Sequence, residues 1–143
     1  MRFGPRPYEP TQLGTNQMNW RASRLNDYLM NFRELFRANA PYSVAYALCY
    51  ITSDADRTGL LMKVGSEDQS IVYLNGTQIY RWDRPRNYVP DQDVVGGVEL
   101  KRGVNVLLFK IANEMDFWRA SIRFTDAAGQ PVKGISVTLE PPK

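Results

Sequence analysis

Residues 64–82, VGSEDQSIVYLNGTQIYRW, constrain the fold of this chain more than any other stretch. Asn75-Gly76 stands between two alternating runs, Ser70-Ile71-Val72-Tyr73-Leu74 and Thr77-Gln78-Ile79-Tyr80. An Asn-Gly pair accepts the positive φ angles of a tight two-residue turn, so the stretch predicts a β-hairpin preceded by an acidic turn. The same grammar continues through the rest of the chain. Strands are expected over residues 43–52, 59–64, 70–74, 77–82, 93–100, 105–112, 118–125 and 134–139, each bounded by Gly, Asn, Asp, Ser or Pro. Short strands at near-regular spacing with no helical pattern between them predict an all-β antiparallel sandwich, of the jelly-roll kind.

Alternation within single strands sharpens the expectation. Over residues 104–111 both faces are largely apolar, which marks a central strand covered on both sides. Over residues 118–125 Trp118, Ala120, Ile122 and Phe124 alternate with Arg119, Ser121, Arg123 and Thr125, which predicts one buried and one wet face. The N-terminal third reads differently. Leu25, Tyr28, Leu29, Phe32, Leu35 and Phe36 recur at helical steps, but Asn26, Asp27 and Asn31 are weak helix formers, so only a short helical turn over residues 32–37 is expected. Residues 1–17, with Pro5, Pro7 and Pro10, read as a linker or strap, and residues 18–143 as a single sandwich domain.

Composition removes several kinds of chemistry. The 143 residues include no histidine, which excludes Ser-His-Asp and Cys-His nucleophile systems and imidazole acid/base work near neutral pH. The single cysteine, Cys49, lies in an apolar run and reads as a small buried residue. Carboxylate-pair catalysis stays formally open through Glu67, Asp68, Asp83, Asp91, Asp93, Glu99, Glu114 and Asp116. Most of these fall at turns, where solvated carboxylates are commonplace, so the chain is expected not to be an enzyme. There is no phosphate-binding glycine loop and no EF-hand spacing. No apolar run reaches membrane-spanning length, so no membrane partner is expected. The net charge of +3 is dispersed. One concentration stands out, RWDRPRNY at residues 81–88, where arginines interleave with aromatics that could stack bases or sugar rings.

Four pieces then occur in order: SVAYALCYI at residues 43–51, LLMKVGSEDQS at 60–70, VYLNG at 72–76 and VELKRGVNVLLFKI at 98–111. Together they resemble the galactose-binding-like jelly-roll modules attached to glycosidases and to large exported bacterial proteins, and they span roughly two thirds of the chain. The resemblance implies a non-catalytic carbohydrate-binding accessory module of a larger exported protein, extracellular or periplasmic. Its partners would be a polysaccharide or oligosaccharide and the neighbouring domains. The opening residues carry a charge with no apolar stretch behind it and do not read as a signal peptide.

In such modules sugars are held by loops at one end or by a concave sheet face. Carried onto this sequence, the ligand-binding candidates are Glu67 and Asp68 in the acidic turn, Trp82, Arg84, Arg86 and Tyr88 in and around the loop after the hairpin, and Asn113 with Trp118 near the last turn. An aromatic face would meet the C–H face of a pyranose while arginine, carboxylate and amide groups bond its hydroxyls. No cofactor is expected, although calcium is common in related jelly rolls and Asp54, Asp56, Glu67 and Asp68 could offer oxygens. Asn75-Gly76-Thr77 also matches a glycosylation acceptor, but the hairpin accounts for Asn-Gly without it. Two other readings stay open. One is a structural spacer or protein-interaction sandwich without a sugar site, and the other is nucleic-acid binding through residues 81–88.

Overall fold

The alternating runs pair into two antiparallel sheets in the computed structural model, which describes residues 10–13 and 15–141. The chain forms β1 (Pro10–Leu13), β2 (Asn16–Asn19), β3 (Leu29–Asn31), α1 (Phe32–Phe36), β4 (Ser43–Ser53) and β5 (Arg57–Glu67). It continues through β6 (Ser70–Leu74), β7 (Thr77–Trp82), β8 (Asp93–Leu100), β9 (Gly103–Asn113), β10 (Arg119–Thr125) and β11 (Ile135–Thr138). One sheet runs β3-β10-β5-β8 and the other β11-β4-β9-β6-β7. All eight expected strands are present, and the fold is the all-β antiparallel sandwich that the turn spacing predicts.

The core lies between the inward rows. The four-stranded sheet supplies Met30, Leu60, Met62, Val64, Val98, Leu100 and Ala120, and the five-stranded sheet Ala45, Ile51, Val72, Leu74, Leu107, Phe109 and Ile111. β9 is central as expected, paired with β4 from Ser43↔Asn113 to Ser53↔Gly103 and with β6 on its other side. Its outward row of Val104, Val106, Leu108 and Lys110 is half-buried. Cys49 is half-buried, and desolvation pushes its thiol up to about 11, far from thiolate chemistry at neutral pH.

The Asn75-Gly76 turn takes left-handed backbone at both residues, with φ 51° and 80°. That geometry joins two right-twisted strands without splaying them. The Asn75 side chain is also bound into the neighbouring strand: Nδ2 donates to Asn105 Oδ1 at 2.9 Å, and the Val106 amide donates to Asn75 Oδ1 at 2.9 Å. The amide nitrogen of the acceptor motif is therefore engaged within the fold. Asn105, fully buried, extends the link. Its Nδ2 donates to Lys101 O at 2.8 Å and to Ile51 O at 3.2 Å, while its Oδ1 accepts from the Lys101 amide at 2.9 Å.

The N-terminal third holds strands that the sequence pattern does not announce. α1 is one helical turn, as expected, but Leu29–Asn31 extends as β3 on the edge of β10. The competing local chemistry explains it: Asp27 Oδ1 accepts from the Leu29 amide at 2.7 Å, a turn that ends any helix running through residue 29. Phe32 and Phe36 then pack on Trp118, with centroids 5.1 and 5.6 Å from the indole. Across the expected boundary between strap and domain at residue 17, Pro10–Leu13 and Asn16–Asn19 pair as a separate two-stranded sheet, and residues 1–9 and 14 lie outside the described residues. Among the described residues no helix is long and apolar enough to cross a membrane.

Asn105→Ala is expected to lower the unfolding free energy by about 3 kcal/mol, because it strands buried carbonyls and the Asn75 amide. Urea denaturation measures it, and a loss below about 1 kcal/mol would mean that the polar link is dispensable.

Candidate functional site

Arg86 decides where the loop between β7 and β8 goes. Its side chain is 12% exposed and lies at one end of the sandwich, where it meets both sheets. Nη2 donates to Tyr80 Oη of β7 at 2.9 Å and to Ser66 Oγ of β5 at 3.0 Å; Nε donates to Ser66 O at 3.1 Å; Nη1 pairs with Asp93 Oδ2 of β8 at 2.7 Å. Trp82 covers it, with the guanidinium carbon 4.3 Å from the ring centroid. Tyr80 donates to Asp93 Oδ2 at 2.6 Å. Burial, reinforced by that bond to the carboxylate, pushes the Tyr80 phenol up to about 12 against the opposing pull of Arg86. For Asp93 burial acts upward, but the bonds from Tyr80 and Arg86 and the charge of Arg86 outweigh it, and the carboxyl lies below its ordinary value.

The acidic turn divides into two roles. Ser66 Oγ donates to Asp68 O at 2.9 Å, and the Asp68 carboxylate accepts from the amides of Arg86 at 3.2 Å and Glu114 at 2.9 Å, so Asp68 joins three loops. Glu67 points the other way, onto the outer face of the four-stranded sheet. There its Oε2 takes bonds from Arg119 Nε at 3.1 Å and Nη2 at 3.0 Å.

That outer face collects the chemistry. In register along β5 and β10 stand Glu67↔Arg119, Gly65↔Ser121 and Lys63↔Arg123. A Cβ on Gly65 would come within 2.4 Å of Val89 O and 2.9 Å of the Tyr88 ring, so the loop after Arg86 rests directly on this backbone. It delivers Tyr88 to the middle of the face and Asp91 to Arg123, whose Nε donates to Asp91 Oδ1 at 3.0 Å and whose Nη2 also bonds Oδ2. The Arg123 bond, outweighing partial burial, holds the Asp91 carboxyl below its ordinary value. Burial raises the Tyr88 phenol. Arg123 lies 5.5 Å from the Tyr28 centroid, and Arg119 lies 4.7 Å from Phe117 and 5.7 Å from Tyr88. Tyr28 is 41% and Phe117 52% exposed.

The expected ligand residues are thus separated. Glu67 and Tyr88 share the outer face. Arg86 and Trp82 close the end of the core, Arg84 is exposed 5.6 Å from the Trp82 ring, and Asp68 organises loops. Asn113 and Trp118 are each 2% exposed; Asn113 Nδ2 donates to Ala40 O at 2.7 Å, and Trp118 packs on the α1 aromatics, so neither offers a side chain to a ligand. Arg81 pairs with Asp83. Tyr28, Phe117, Arg119 and Arg123 join the face without having been candidates, and Asp91, named only among the carboxylates, joins it through Arg123. For the two arginines the signal was the wet side of the alternation over residues 118–125.

The four carboxylates considered for calcium do not converge. Asp54 and Asp56 precede β5 and Glu67 ends it, roughly 30 Å away along an extended strand. Asp54 pairs with Arg57, Asp56 accepts from the Arg102 amide, and among the described residues no cluster of metal-ligating side chains occurs.

No protein-family model matches the chain, and no curated protein matches it. Among solved structures it is similar to a family 35 carbohydrate binding module from an environmental isolate, with 22% identity over 72% of this chain and 75% of that one and a TM-score of 0.45.

Because the folded Tyr80 pKa is raised, the protonated phenol favours the fold. Its contribution is complete below the unfolded value near 10 and is lost as pH rises through about 12. The stability gap between the wild type and Tyr80→Phe is therefore expected to be widest below pH 10 and to shrink toward pH 12. Chemical denaturation across that range checks it, and a gap that is constant with pH would mean that the fold does not raise the Tyr80 pKa.

Proposed function

We propose that the outer face of the four-stranded sheet binds carbohydrate and that the chain serves as a non-catalytic binding module, an accessory to a larger exported protein. The observation that carries this reading is the convergence of Tyr28, Tyr88 and Phe117 with Arg119 and Arg123 on one face. Half-exposed rings suit the C–H face of a pyranose. The arginines are oriented by Glu67 and Asp91, and each guanidinium has more N–H donors than its carboxylate uses, which suits hydroxyl groups.

The same pairing speaks for binding without catalysis. Glu67 and Asp91 are both bonded to guanidinium groups, and Asp91 lies below its ordinary pKa, the opposite of what a general acid requires. A spacer without a ligand site leaves three aromatics on one arginine-lined face unexplained. Nucleic-acid binding through residues 81–88 is disfavoured because Arg86 is spent within the core end and Arg81 on Asp83.

Isothermal titration against plant and algal polysaccharides tests the reading. Binding is expected, weakened about tenfold, or about 1.4 kcal/mol, by Tyr28→Ala or Arg123→Ala and unchanged by Arg84→Ala. A folded wild type that binds nothing across the panel would leave the spacer.

A further inference from the structure

Resting on that reading, we infer that the face takes an internal stretch of a linear glycan, spread over two subsites, and not a single sugar or a chain end. The face holds two similar units. In one, Arg119 is fixed by Glu67 and lies against Phe117 and Tyr88. In the other, Arg123 is fixed by Asp91 and lies against Tyr28. Each unit offers the same pair of contacts, an aromatic ring and a guanidinium whose direction a carboxylate sets.

The spacing follows from the strand. Arg119 and Arg123 are four residues apart in β10 and point to the same side, as their pairing with Glu67 and Lys63 shows, so their Cα atoms are about 13 Å apart. That interval is wider than any single pyranose ring. Between them the floor is Gly65 and the buried Ser121, and Tyr88 lies over it. Tyr88 touches Arg119 on one side, and on the other its own loop continues to Asp91 in the second unit.

The ends of the row carry rings that are about half exposed, Tyr28 at one and Phe117 at the other. A site for one terminal sugar encloses most of its ligand. A row that ends in open aromatics instead lets a chain run on in both directions. Two weak subsites joined by one ligand gain affinity because the second contact becomes intramolecular.

Isothermal titration of the whole chain with xylo-, manno- and cello-oligosaccharides, from monosaccharide to hexasaccharide, separates the outcomes. Affinity for the ladder that binds is expected to rise at least about tenfold between monosaccharide and tetrasaccharide and then level off. Tyr28→Ala and Phe117→Ala, each of which removes the ring of one subsite, should each flatten that rise so that the tetrasaccharide gains little over the disaccharide, and blocking either chain end should have no effect. Length-independent binding, or binding abolished by a blocked end, would overturn the two-subsite inference and leave the carbohydrate face standing. Circular dichroism of each variant confirms that it is folded. A folded wild type that binds no member of any ladder and nothing in the plant and algal polysaccharide panel would overturn both.

Discussion

The guanidinium of Arg86 is the contact on which this end of the molecule depends. A charge so far withdrawn from water is costly unless its donors are satisfied, and here an aspartate, a phenol, a hydroxyl and a backbone carbonyl meet it from three strands in two sheets. The sandwich has apolar rows along its middle but cannot close its end with them, because β7 and β8 are joined by a polar loop there. Arg86 closes it by drawing that loop inward. What the loop does next follows from this anchor: it leaves the core end at residue 87, crosses β5 at Gly65, which has no side chain to obstruct it, and sets Tyr88 and Asp91 on the outer face. Gly65 is therefore as much a part of the face as the residues displayed on it, since any Cβ there would meet backbone.

The strands were legible because each carried its own turn chemistry and its own alternation. The hairpin at Asn75-Gly76 and the amphipathic run from Arg119 are local facts, and local facts survive into the fold. β3 was not legible, since three residues carry no periodicity and their pairing depends on the free edge of β10. The helical steps around them spoke for a helix that Asp27 forbids. Trp118 was assigned to the core by alternation even while its chemistry made it a ligand candidate, and burial decides for the core.

The face itself was only half legible, and the missing half has one cause. Glu67 and Arg119 are separated by 52 positions and Asp91 and Arg123 by 32, so the pairs exist only through the register of β5 against β10 and the path of one loop. Composition made residues 81–88 conspicuous because arginines and aromatics are adjacent there in sequence. Adjacency in sequence proved to be the wrong coordinate: Trp82 and Arg86 are drawn to the core end, while arginines from a strand with an unremarkable pattern meet aromatics from three different segments.

Of the two carboxylate–arginine pairs, Arg123–Asp91 is partly exposed and adds little to stability where it stands, whereas the Glu67 carboxylate is buried and needs Arg119 to offset its desolvation. Exposed or half-exposed ion pairs contribute about 0–1 kcal/mol, because solvent screens them and long side chains lose freedom in forming them. Their consequence is geometric. A free arginine samples many rotamers, and ordering it on a ligand costs about 0.5–1.5 kcal/mol per side chain. Glu67 and Asp91 bear that ordering cost before any ligand arrives. Both pairs hold a guanidinium beside half-exposed rings, so the geometry of the face is set by the fold itself and not by whatever meets it.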